Sequence, residues 1–112
     1  MEKDFEYQQM LAGELYLAGG ILPEHKSVHG KKIAQQINQT PIADKAKLKE
    51  LVKQLFGKTG ENYYVTPPVY VDYGRHVSIG ENFYANMDCI FLDVNQITIG
   101  NNVMLGPRVG LY

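Results

Sequence analysis

Three histidines are the side chains of this chain best suited to proton chemistry: His25, His29 and His76. Imidazole titrates near neutrality and is the usual general base toward a hydroxyl group. His25 and His29 lie near lysines in a segment of helical character and read as solvated. They are four residues apart, yet nothing joins them as a third ligand, so no metal site is expected. Lys45, Lys49 and Lys53 form a four-step stripe, read as a solvated helix face in preference to a phosphate-binding one. No phosphate loop of the Walker type occurs. The single cysteine, Cys89, excludes an internal disulfide.

The elements that would carry such groups are set by a repeat. Pro67, Tyr73, Ile79, Ala85 and Phe91 fall six apart, and Val71, Val77, Phe83 and Cys89 lie four residues after the first four. Around Asp93 to Gln96 the register slips by two. Ile99, Leu105 and Leu111 then resume, with Val103 and Val109 in the second series. Six fits neither the helical period of 3.6 nor the alternation of a hairpin. It fits a solenoid of three-sided coils that spend six residues on each face. One position of each hexapeptide points into a narrow dry interior. The next, glycine at 74, 80, 100 and 106, suits a bend. Asn82, Asn101 and Asn102 follow closely and tolerate left-handed backbone. The slip reads as a small outward bulge, from which Asp93 can leave the coil. His76 sits in the coil that contains Tyr73.

Before the repeat, three helices are expected. The first spans about residues 4–16, with Tyr7, Leu11 and Leu15 as its stripe. The second spans about 31–38. The third is capped by Thr40-Pro41 and buries Leu48, Leu51, Val52, Leu55 and Phe56 before Gly57 and Gly60 stop it. Residues 1–60 thus read as a helical N-terminal cap and 61–112 as the solenoid, in one folding unit of 112 residues. A net charge of −1 argues against an electrostatically driven nucleic-acid partner. The charged start lacks a signal peptide's apolar core, and no run is long enough to span a membrane. A soluble cytoplasmic protein is expected.

Several runs carry a family resemblance: Pro67-Pro68-Val69-Tyr70, Asp72-Tyr73-Gly74, Asn82-Phe83-Tyr84-Ala85-Asn86, Leu92-Asp93 and Ile99-Gly100-Asn101-Asn102-Val103. With Met10-Leu11-Ala12-Gly13-Glu14-Leu15-Tyr16, they resemble the maltose and galactoside O-acetyltransferases, a branch of the hexapeptide-repeat acyltransferases. The resemblance covers essentially the whole chain. It implies a mainly β fold, a left-handed parallel β-helix behind an α-helical cap, with acetyl-CoA as co-substrate, a sugar-type acceptor and a homotrimer with sites between subunits.

It also implies site residues. Asn86 would help hold the acceptor hydroxyl and steady developing oxyanion charge, since an amide donates without changing protonation. By spacing alone it is equally a corner asparagine. Asp93 would lie in the acceptor pocket, or be a turn aspartate bonded to its own backbone. Tyr84 would wall the sugar ring, or cover a corner. Asp72 matches a pocket position, or is an exposed carboxylate of the solenoid face. The family's acidic acceptor contact near the N-terminal helix is replaced here by Leu17-Ala18, which puts maltose and galactosides in doubt. The family base sits in a Gly-His-Pro-like motif just beyond the coil matching Leu105 to Tyr112. None of the three histidines carries that motif. The chain therefore reads as the cap and lower coils, with the base and most of the donor groove absent and no turnover expected. A non-catalytic binding or assembly module is the alternative. The apolar upper end, near Val103, Leu105, Val109 and Leu111, leads us to expect self-association.

Overall fold

The segment from Tyr63 onward is a column of short parallel strands, and in the three-residue strands between residues 69 and 91 both end residues are buried. The computed structural model describes residues 4–112; the charged start at residues 1–3 lies outside them. The strands are β1 (Tyr63–Val65), β2 (Val69–Val71), β3 (Val77–Ile79), β4 (Phe83–Ala85), β5 (Cys89–Phe91), β6 (Ile97–Ile99), β7 (Met104–Leu105) and β8 (Gly110–Leu111). They form three parallel sheets, β1-β4-β7, β2-β5-β8 and β3-β6. Tyr63 pairs with Phe83, Val69 with Cys89 and Val77 with Ile97, so each coil takes 20 residues.

Twenty is eighteen plus two, and the extra pair always falls at one corner. Residues 72–76 join β2 to β3 and residues 92–96 join β5 to β6, whereas residues 66–68, 80–82 and 86–88 make three-residue corners. This corrects the six-step register at its start. The inward residues of the first coil are Val65, Val69, Val71, Val77 and Ile79, all buried. Pro67 is a corner residue, and Tyr73 is buried outside the prism, in a separate cluster. From Val77 on, both expected series hold. The corners at 80–82 and 86–88, and their counterparts one coil above, place a left-handed residue third: Asn82 (φ 58°), Asp88 (φ 62°), Asn102 (φ 61°) and Arg108 (φ 61°). Asn82 and Asn102 also stack as a ladder, Nδ2 to Oδ1 at 2.8 Å.

Three helices precede the column: α1 (Phe5–Leu11), α2 (Val28–Gln39) and α3 (Lys45–Leu55), with single 3-10 turns at Ala18–Gly20 and Pro23–His25. α1 is shorter than its four-step stripe suggests. Gly13 adopts φ +78°, which ends the helix and leaves Leu15 almost fully exposed. The cap of α3 is Asp44, whose carboxylate accepts from the Lys47 N–H; Thr40 instead closes α2, donating to the Gln36 carbonyl at 2.7 Å.

α2 and α3 bury Ala34, Ile37, Leu48, Leu51, Val52 and Leu55 in the same core as the coil interior. Phe56 packs edge-on against Phe91. α2 lies so close that a Cβ on Gly30 would meet the Tyr73 carbonyl oxygen at 1.7 Å. The lower sheet edge is closed as well. Asn38 both donates to and accepts from the Val69 backbone, at 2.9 and 2.8 Å, as a neighbouring strand would. Ile97, Ile99, Val103, Leu105, Val109 and Leu111 are only partly buried.

Candidate functional site

The two five-residue corners stack on each other and hold two buried polar residues, His76 and Asp93. Asp93 is fully buried. Its Oδ1 accepts from the N–H groups of Tyr73 (2.8 Å) and Asp72 (3.2 Å), and its Oδ2 from that of His76 (3.2 Å). The expectation that Asp93 leaves the coil for an acceptor pocket is therefore corrected. Its carboxylate turns inward and bonds the corner of the coil below, where the N–H groups of Tyr73 and His76 have no strand carbonyl to meet.

His76 is buried beside it. Its Nδ1 lies 2.8 Å from the Asp93 carbonyl oxygen, and its Nε2 2.6 Å from the Tyr7 hydroxyl. A carbonyl can only accept, so the neutral ring carries its proton on Nδ1, and the Tyr7 hydroxyl donates to Nε2. Tyr73 stacks on the ring at 4.5 Å between centroids. Burial pushes the Tyr73 phenol above its usual value of 10.0, with the Asp72 carboxylate adding to the effect.

His25 is half-buried, which corrects its reading as solvated. Its Nδ1 meets Asp4 Oδ2 at 2.8 Å, and its ring lies parallel to that of Tyr7 at 4.3 Å. Burial alone would raise the Asp4 carboxyl. Hydrogen bonds from His25, Leu22 and Tyr7 outweigh it and hold the group below 3.8. His29 is exposed, with Nε2 on the Pro23 carbonyl. The sequence reading missed Tyr7, Asp4 and Arg75 as members of this cluster. Tyr7 and His76 are 69 residues apart, and no local pattern links them.

The other candidates lie elsewhere. Asp72 is half-buried and paired with Lys31 of α2 at 3.1 Å, which ties the cap to the coil. Tyr84 faces outward from β4 and stacks on Tyr64 of the coil below, 6.2 Å apart and 16° from parallel. Asn86 follows β4. Its Oδ1 accepts from the Met87 N–H at 2.7 Å, which identifies the accepting atom and leaves Nδ2 without a partner among the described residues. Tyr84 and Asn86 stand at one end of β5, and Asp93 at the other. The structure thus brings Tyr84 together with Asn86, and Asp72 together with Asp93, but does not join the two pairs.

A pocket of about 390 Å³ lies between the end of α1 and the second five-residue corner, lined by Met10, Gly13, Leu92, Val94, Asn95, Gln96, Ile97 and Tyr112. A more open cleft of about 750 Å³ runs between α3 and residues 59–63, its lining including Lys49, Glu50, Lys53 and Glu61. Among the described residues no cluster could hold a metal ion, and no helix is long and apolar enough to cross a membrane. Burial pushes the Cys89 thiol above 9.0.

Residues 9–60 match the family model for the maltose acetyltransferase hexapeptide capping motif. Galactoside O-acetyltransferase of Escherichia coli is 39% identical over 106 residues, covering 93% of this chain and 51% of that protein. The crystal structure of a maltose O-acetyltransferase from Clostridium difficile superposes with a TM-score of 0.91 at 41% identity, over 96% of this chain and 57% of the other. A hexapeptide-repeat acetyltransferase of Vibrio cholerae, solved with acetyl coenzyme A, gives 0.80 at 31%, over 94% and 56%. The chain spans about half the length of the relatives it matches. Its stacked coils, helical cap and sequence match those of the maltose and galactoside O-acetyltransferase family of hexapeptide-repeat proteins over nearly the whole of this chain.

Proposed function

We propose that this chain forms the cap and lower coils of an acetyl-CoA-dependent O-acetyltransferase acting on a sugar or related hydroxyl compound, with the left-handed winding and trimeric assembly of its family. The observation that carries the reading is the column of 20-residue coils beneath a helical cap, matched over nearly the whole chain by solved acetyltransferases. In the reaction the acceptor oxygen attacks the thioester carbonyl, a base takes the hydroxyl proton, and the CoA thiolate leaves. Asn86 fits the role of donor to the developing oxyanion, since its Oδ1 is held by Met87 and its Nδ2 is free to donate. Tyr84 offers an outward aromatic face beside it, and Asp72 serves by fixing α2 against the corner.

No histidine within these residues fits the base. His76 has both ring nitrogens engaged and is buried, His25 is bonded to Asp4, and His29 stands on the solvent side of α2. The base and most of the donor groove are accordingly assigned to residues outside these 112. The test is acetyl transfer from acetyl-CoA to a sugar panel, measured for this chain and for the full product of its gene. Transfer by the full product alone is expected, with Asn86→Ala lowering its kcat by about 10²–10³. No transfer to any hydroxyl by the full product sinks the reading. Turnover by the 112 residues alone refutes the placing of the base.

A further inference from the structure

We infer that residues 4–26, α1 with the two 3-10 turns, form a flap that opens from the coils as one body while the main core stays folded. The flap is knit to itself. Asp4 accepts from Leu22 and His25, Glu6 accepts from Leu17, and Tyr7 stacks on His25. Its apolar residues Tyr7, Met10 and Ile21 do not join the core shared by α2, α3 and the coil interior. They pack in a separate small cluster against Tyr73 and Val94.

Few bonds hold it to the coils. Tyr7 donates to His76, Asn95 Nδ2 to the Leu11 carbonyl at 2.8 Å, and Arg75 to the His25 carbonyl at 2.9 Å; the Tyr73 hydroxyl touches Met10 Sδ at 3.5 Å. Among the described residues the flap's covalent link to the rest runs only through Ser27 into α2, which Gly30 seats firmly on the coil. Local opening costs what such a seam holds, which is less than the whole core. Met10 and Gly13 line the 390 Å³ pocket from the flap side, and Leu92, Val94 and Ile97 from the coil side, so opening separates the pocket's two walls.

His76 is the positioning residue of this seam, fixed by the Asp93 carbonyl in the tautomer that accepts from Tyr7. The inference does not depend on the acetyl-transfer reading. Native-state amide hydrogen exchange of this chain tests it. Once undocked, a helix of seven residues is marginal in water, so the amides of α1 and of Leu22 should exchange through this opening with one shared constant, larger than that of the Val77 and Ile97 amides. Tyr7→Phe should raise the flap constant by about tenfold, the worth of one buried hydrogen bond, without moving the strand amides. Equal protection of flap and strands, or a Tyr7→Phe effect of the same size in both, overturns the proposal. If Tyr7→Phe does not fold, the urea dependence of exchange in the unaltered chain decides. A shallow slope for the flap and a steep one for the strands supports it; equal slopes refute it.

Discussion

Replacing Asp93 tests whether the five-residue corner is held by one buried carboxylate. Asp93→Ala removes the acceptor from three N–H groups, but their losses differ. The Asp72 N–H keeps a second acceptor, the Phe91 carbonyl at 3.1 Å. The Tyr73 and His76 N–H groups are buried and have no other partner among the described residues. A buried donor left unsatisfied costs about 1–3 kcal/mol, more when the lost partner was charged, so the substitution should cost about 3–5 kcal/mol. Against a typical total of about 5–15 kcal/mol that is a large fraction.

Asp93→Asn should cost less, about 2 kcal/mol, because the amide oxygen still serves one corner donor while its NH2 faces the other. Asp72→Ala supplies the contrast. That carboxylate sits at the stacked corner one coil below but pairs with a half-exposed lysine, and its removal should cost under about 1 kcal/mol. Urea unfolding at constant slope measures all three. An Asp93→Ala cost below about 1 kcal/mol, or one no greater than that of Asp72→Ala, would refute the reasoning.

Gly30→Ala forces a methyl group against the Tyr73 carbonyl and should destabilise the chain by about 1–3 kcal/mol in the same urea assay, whereas alanine at open Gly19 should not. The Asp4 carboxyl is held below 3.8 in the folded chain. Its bonds from Tyr7, Leu22 and His25 all lie within the flap, so its contribution to the flap's own structure is complete above that value and lost as pH falls through the lower folded one. The nuclear Overhauser contact between the Tyr7 and His25 rings, followed from pH 5 downward, should fade in that window and lose its carboxyl-dependent step in Asp4→Asn. Cys89 is buried and its thiol raised by burial. An aromatic disulfide reagent at pH 8 should label the native chain on the order of a thousandfold more slowly than the denatured one.

The repeat was legible because a prism interior admits only small or aliphatic side chains, and it writes that limit into positions 79, 85, 91, 99, 105 and 111. Its start was misread for a physical reason. The two extra residues recur in every coil at the same corner, but Tyr73 is apolar and buried for another purpose, so it mimicked a core position six residues before Ile79. α1 was overextended because Leu15 continues the four-step stripe, and nothing in that stripe registers that Gly13 turns left-handed. Asn86 was legible as an amide at a corner; that its oxygen is held and its nitrogen free is a matter of geometry. The histidines were the least legible, since each role depends on a partner far along the chain.

Those partners meet at one place for a reason that lies in the coil itself. The short corners at Asn82 and Asp88 need little more than one left-handed residue and bonds to a neighbouring coil. A five-residue corner leaves surplus N–H and C=O groups that the ladder cannot use. In the lower coil that surplus is met by the carboxylate of Asp93 from the coil above. The carbonyl of Asp93 then orients His76, and His76 orients Tyr7 of α1. The step from eighteen to twenty residues per coil thus creates the polar groups by which the flap is registered to the column. Shortening the corner at residues 92–96 by two would restore a tight hexapeptide turn, yet remove the acceptors that hold both the corner beneath and α1. The column should survive such a deletion better than the docking of α1 does, and exchange in α1 against exchange in β3 would measure the difference.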